Sequence, residues 1–141
     1  MNLTANFTLE ELIASETARK NGWSNLPDAT CVSNLYSLCS IVLQPLRDFV
    51  KVPVIVTSGY RSAQLNTAVG GVSDSYHLVG LAADIRGGDL EDTTLIYNYL
   101  YQYRNYDKAI VYYYRQSNMF IHVQYRTSEE NRKRFLFHDQ Y

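Results

Sequence analysis

The sequence is short of most features that would assign it a partner at sight. Its 141 residues carry 13 basic against 14 acidic side chains, a formal charge of −1. That balance excludes a nucleic acid or an anionic membrane held by a basic field. It is also even along the chain, with 5 basic and 5 acidic groups in residues 1–70 and 8 and 9 in residues 71–141. No uninterrupted apolar run approaches the ~18–20 residues of a membrane span. The opening Met1-Asn2-Leu3-Thr4 stretch has neither a basic start nor an apolar h-region, so synthesis in the cytoplasm without a secretory signal is the expectation. Linkers, repeats and low-complexity segments are lacking. There are only two cysteines, Cys31 and Cys39. Eight residues along one helix put their Cα atoms ~12 Å apart, too far to bridge, so they read as buried free thiols. Aromatics, by contrast, are plentiful: of 13 tyrosines, eight lie between Tyr97 and Tyr114.

Local signals order the chain. Thr8-Leu9-Glu10-Glu11 is a capping box with Phe7 and Leu12 placed as a staple. The helix it opens breaks at Ser15 and ends near Asn21-Gly22. Pro27-Asp28 opens a longer helix whose Val32, Leu35, Leu38, Val42, Leu43 and Leu46 form one apolar stripe, with Pro45 kinking its last turns. Val52–Thr57 reads as a strand, Arg61–Val69 as a helix, Leu81–Ile85 as a strand, and Asp89 caps a helix to about Tyr103. Lys108–Arg115 and Met119–Arg126 read as a hairpin around residues 116–118, with Arg115 opposite Met119 and Tyr112 opposite His122. A short strand follows near Arg134–Phe137. Helices first and strands later give an α+β fold, a single domain over residues 1–141 with the helices packed on a small, mainly antiparallel sheet.

Three histidines exist, His77, His122 and His138. His77 stands seven residues before Asp84, an acid in the apolar run Leu81-Ala82-Ala83-Asp84-Ile85 that needs a cation, a metal or several donors if buried. His122 lies in Phe120-Ile121-His122-Val123-Gln124, where alternation puts it on one face with Phe120 and Gln124. Two imidazoles and one carboxylate are the ligand count of a catalytic zinc, with a fourth position for water. The competing readings are a chance spacing with either histidine a satisfied core residue, and a metal-free interaction domain, which would require Asp84 to be satisfied without a cation.

Together the segments Ser58-Gly59-Tyr60-Arg61-Ser62, Leu65-Asn66, Val69-Gly70-Gly71, Ser75-x-His77-x-x-Gly80-x-Ala82-x-Asp84 and Ile121-His122-Val123 resemble the zinc D-Ala-D-Ala carboxypeptidase family. That family includes phage endolysins that cut peptidoglycan stem peptides, and it shares its fold with the Hedgehog signalling domain. Phe7-Thr8-Leu9-Glu10-Glu11-Leu12 is similar to the start of its short single-domain members. The resemblance implies one Zn²⁺ held by His77, Asp84 and His122. It implies a monomer that hydrolyses stem peptides, by carboxypeptidase or L-Ala-D-Glu endopeptidase action. A chain made in the cytoplasm would reach the wall only by release, as through a phage holin. Arg61 matches the family arginine that faces substrate; its alternative is a structural arginine on loop carbonyls. Ser75 bonds substrate, orients His77 or serves the turn, and Asn66 and Gln64 are further polar candidates. Gly70, Gly71 and Gly80 serve backbone conformation.

The resemblance breaks at the general base. Family enzymes carry an acid three residues before the last histidine; here it is Met119, and the usual tryptophan two before is Phe120. In some short relatives an acid sits on the preceding strand, at the position assigned here to Tyr112. A tyrosine with a pKa near ~10 is a poor base at neutral pH, although it can donate to an oxyanion; packing is its other role. Asp74 and Asp107 are the remaining acids, both on loops. Two functions of different class follow, a zinc peptidase and a weakly active or inactive zinc-binding relative that holds wall peptide or serves as a phage structural module.

Overall fold

A computed structural model describes residues 1–114 and 118–140. The chain opens with a two-stranded ribbon, β1 (Asn2–Thr4) and β2 (Phe7–Thr8). The capping box then starts α1 (Leu9–Ile13): Thr8 Oγ1 accepts from Glu11 N and Glu11 Oε1 from Thr8 N. The staple residues Phe7 and Leu12 are buried. Ser15 does break the helix, capping α2 (Glu16–Asn21), and Gly22 closes it at φ 68°.

Asp28 caps α3 (Ala29–Leu38) through Cys31 N. The kink expected at Pro45 takes a specific form. A π-helical turn, Cys39–Leu43, precedes α4 (Gln44–Val50), and Gln44 N bonds back to Cys39 O. Widening the turn accommodates a proline ring that would strike the carbonyl four residues back. The Ile41 carbonyl, which Pro45 has no N–H to reach, accepts from Asn105 Nδ2 instead. The run Ala29–Val50 has mean hydropathy 1.2 and is long and apolar enough to cross a bilayer, which single-residue runs in the sequence did not indicate. Its stripe is nevertheless core: Leu35, Leu38, Val42, Leu43 and Leu46 are fully buried within one cluster with the sheet. Both cysteines are free and buried.

Five strands follow in spatial order β3-β4-β6-β5-β7. They are β3 (Ile55–Ser58), β4 (Ala82–Arg86), β5 (Lys108–Tyr114), β6 (Asn118–Gln124) and β7 (Arg134–Gln140). α5 (Ala63–Ala68) and a 3-10 turn (Tyr76–Val79) lie between β3 and β4, and α6 (Leu90–Gln102), capped by Asp89, lies between β4 and β5. Pairing is antiparallel except β5 with β7. β3 starts later than Val52 because Lys51 ends α4 in the left-handed region and β4 offers partners only from Ile55 onward.

The hairpin register differs from the expected one. Tyr114 pairs with Asn118, so Ile110 stands opposite His122 and Tyr112 opposite Phe120. Asn118 belongs to the strand, and the connection falls on residues 115–117, outside the described ones. Since the shift is by two, Tyr112 keeps its place on the His122 face. Alternation sends Ala83, Ile85, Val111, Met119, Ile121 and Val123 into the core and leaves Asp84, His122 and Gln124 on the opposite face. The helix tyrosines divide as their spacing dictates, with Tyr99 buried and Tyr101 and Tyr103 exposed. Strand alternation predicts Tyr112 and Tyr114 on the cleft face and Tyr113 away from it; Tyr113 does pack against the core, and the Tyr114 side chain lies outside the described residues.

Candidate metal centre

One row across the sheet builds the site. Ser58, Asp84, His122 and Ile110 are successive cross-strand partners on β3, β4, β6 and β5. The pairing of β3 with β4 is irregular between Val56 and Ser58, a one-residue bulge that leaves Thr57 over and sets Ser58 beside Asp84. His77 arrives from the 3-10 turn. Ser75 Oγ caps that turn by accepting from His77 N, and the His77 carbonyl accepts from Arg61 N at 3.0 Å. Gly80 ends the turn at φ 79°, where a Cβ would lie 2.6 Å from Cys31 O.

The result is a close triad. Ligand-type atoms of His77, Asp84 and His122 all lie within 4.8 Å of one another. Asp84 Oδ1 is 3.3 Å from His77 Nε2 and 3.1 Å from His122 Nδ1. The other nitrogen of each ring faces an acceptor. His77 Nδ1 is 2.7 Å from the Gly59 carbonyl, and His122 Nε2 is 2.9 Å from Gln124 Oε1. The Gln124 amide is oriented in turn, because its Nε2 donates to Asp107 Oδ2 at 2.8 Å. Those contacts place the N–H of each neutral imidazole on the outer nitrogen. Two imidazole lone pairs and a carboxylate oxygen then converge on one point, an arrangement that is repulsive until a cation occupies it.

Burial favours the neutral form of Asp84, but its contacts with the His122 and His77 rings outweigh burial and hold the carboxyl well below the usual carboxylate range, so the site keeps its negative charge. A metal ion answers that charge, and a His-Asp-His set suits zinc. Arg61 adds a positive group behind the carboxylate: Nη2 donates to Asp84 Oδ2 (3.3 Å), Nη1 to Asn66 Oδ1 (3.3 Å) and Nε to Ser58 Oγ (3.0 Å).

A cleft of about 410 Å³ opens beside His122, with Asp74, Ser75, Lys108 and Tyr112 among its walls. Tyr112 stacks on Phe120, its ring 5.0 Å away and 16° from parallel, and lies 5.4 Å from the ring of His138. His138 is thus an exposed β7 residue whose ring neighbours a cleft residue. Arg61 lines a different cavity, with Ser58 and Leu65. Gln64 is exposed and takes no part. Met119 points into the core, 8% exposed, so an acid at that position could not approach the triad from this strand.

The chain matches the family model for peptidase M15 over residues 5–124. It belongs to the peptidase M15 family. No curated protein matches it. Membership in this zinc-dependent peptidase family agrees with a His-Asp-His cluster able to hold a metal, and the α+β architecture is that of an M15 domain.

The outer shell of this M15 site was not evident in the sequence. Asp107 is fully buried and accepts from Arg132 N, Nε and Nη2 and from Gln124 Nε2 at 2.8–3.0 Å. Burial raises its pKa, but these bonds outweigh burial and hold it well below the ordinary range. Asp107 is thus a fixed acceptor that orients Gln124 and through it His122, not a free base. Asn25 likewise clamps the loop after β3, donating to the Ile13 and Tyr60 carbonyls and accepting from Ser62 N. The only sequence signal for this shell was the shared face of His122 and Gln124.

Proposed function

We propose that this M15 chain is a zinc peptidase that hydrolyses peptide bonds in peptidoglycan stem peptides, as a carboxypeptidase or an endopeptidase. The observation that carries the reading is the convergence of His77 Nε2, His122 Nδ1 and Asp84 Oδ1, with both outer imidazole nitrogens fixed by Gly59 and Gln124. Zinc held by these residues supplies a Lewis acid that lowers the pKa of a water to around 7 and polarises the scissile carbonyl.

The chain's own residues do the rest. Gly59 and Gln124 keep the ligand nitrogens unprotonated. Arg61 offsets the charge of Asp84 from behind, its guanidinium fixed by Ser58 and Asn66. Tyr112, on the cleft wall, offers a hydroxyl to a developing oxyanion. Ser75 shapes the turn that holds His77, with substrate contact as a further role in the same cleft.

A second reading rests on a specific observation: Met119 faces the core and Asp107 is fully bonded, so neither supplies a base. A zinc-holding wall-peptide binder of low turnover fits that geometry. The two separate on one experiment. Purified protein is expected to carry one zinc per chain by elemental analysis and to release defined fragments from muropeptides by mass spectrometry. His122→Ala is expected to lose both. Bound zinc without wild-type cleavage establishes the binder, and absence of zinc after zinc-replete expression refutes both readings.

A further inference from the structure

The cleft beside His122 holds three charged side chains, Asp74, Lys108 and Arg132. Arg132 is engaged, its Nε and Nη2 donating to the buried Asp107 carboxylate. Lys108 is different. It is half-buried on β5, in register with Gln124, and its ammonium makes no ion pair or hydrogen bond among the described residues. A half-buried lysine on a wall shared with Ile110 and Val72, its ammonium without a partner among the described residues, is placed to receive an anion. Arg61 is poorly placed for that task, since it lines a separate cavity and already bonds Asp84, Asn66 and Ser58.

We propose that Lys108 is a specificity-determining residue that binds a carboxylate of the peptide whose scissile bond lies at His122. This rests on the peptidase reading and deepens it by naming what the substrate carries. His122 pairs with Ile110, so Lys108 is its diagonal neighbour on the same face, and diagonal residues stand about 7–8 Å apart. An extended peptide advances about 3.3–3.6 Å per residue. The carboxylate therefore sits roughly two residues from the cleaved bond. Stem peptides meet that requirement through a free C-terminus or the carboxylates of their acidic and diamino-acid residues. Asp74, an acid lining the same cleft, disfavours a second carboxylate at its own position.

The test uses the zinc-loaded full chain and two synthetic stem pentapeptides, one with free carboxylates and one with all of them amidated. Binding is measured by calorimetry and hydrolysis by kcat/KM. The wild type should prefer the acid by tenfold or more in both. Lys108→Met, which keeps the apolar stem, should bring that ratio to within twofold, and Lys108→Arg should restore it. Zinc content shows that each variant retains the site. A Lys108→Met protein that holds zinc and keeps the full preference overturns the proposal, as does a wild type that binds acid and amide equally or neither. Should neither peptide be cleaved, the peptidase reading fails while the calorimetric ratio still decides on Lys108.

Discussion

Replacing Gln124 with Leu tests whether the outer shell governs the metal. Gln124 is 5% exposed and joins two groups: Oε1 faces His122 Nε2 at 2.9 Å, and Nε2 donates to Asp107 at 2.8 Å. Leucine fills much of the space but can do neither. His122 then loses the acceptor that places its proton on Nε2, so the ring is free to turn or to protonate Nδ1, the nitrogen that faces Asp84. Loss of an outer-shell partner of a metal-bound histidine costs about 10–100-fold in affinity, or roughly 1.4–2.8 kcal/mol. Apo stability falls as well. A hydrogen bond to a charged group is worth about 1.5–3 kcal/mol, and Asp107 keeps its Arg132 bonds, so the loss should sit near the lower figure. Zinc dissociation constants by chelator competition at pH 7.5 measure the first effect, and urea unfolding of the apo protein the second. Gln124→Glu separates them, because it retains the acceptor for His122 while facing Asp107 with a like charge. It should keep zinc affinity and lose apo stability. A folded Gln124→Leu protein that binds zinc within twofold of wild type would refute the orienting role.

Three further perturbations probe the core and the shell around the triad. Met119→Glu, though it restores the family's acid by position, should gain no activity and should lose about 3–5 kcal/mol in urea unfolding, since it leaves a charge unpaired in the core; increased turnover would show that β6 is not regular there. Gly59→Ala puts a Cβ 2.1 Å from Leu12 O and displaces the carbonyl that fixes His77, so thermal melts should show a large loss of stability together with weaker zinc binding. Burial pushes the Cys31 thiol up to about 11 and the Cys39 thiol up to about 12. Both should resist a thiol reagent at pH 8 until denaturant is added. Each folded pKa is raised, so the stability they contribute is complete below the unfolded value near ~8.5 and declines as pH climbs toward 11–12. The free energy of unfolding measured from pH 8 to 11 should therefore fall, less steeply in Cys39→Ala.

What could be read in the sequence was what short-range chemistry determines. Thr8 with Glu11, Asp28 and Asp89 each cap a helix through a donor three residues on, so the starts of those helices follow from adjacent residues. The apolar stripe Leu35 to Leu46 encodes its own burial. His77, Asp84 and His122 were candidates by residue type, and the resemblance of their surrounding segments to the family motif is what favoured them as a ligand set. Distance along the chain hid the rest. Asp107 meets Gln124 and Arg132 at separations of 17 and 25 residues, and no period announces such a pairing. The hairpin register depended on whether Asn118 belonged to turn or strand, which composition does not decide. The π turn needed knowledge that Asn105, 64 residues away, accepts the geometry left by Pro45.

The missing base is a matter of strand parity as much as of residue type. β6 pairs without irregularity with β5 from Asn118 to Gln124, and with β4 from Ile121 to Gln124. A residue three before His122 must then face away from it, because successive side chains alternate. A functional acid there requires a strand that bends or bulges before its histidine, and this chain has a straight one. The chemistry has moved with the geometry. Of the acids near the triad, Asp84 belongs to it, Asp107 is bonded on both oxygens, and Asp74 is the one that faces the cleft among the described residues. General-base assistance is worth about 10²–10⁴-fold. On the peptidase reading proposed above, turnover would therefore be bounded by what a loop carboxylate at Asp74 can do. Its position is not held by the sheet that fixes His122 and Asp84, so metal binding and catalytic rate are separable properties of this fold.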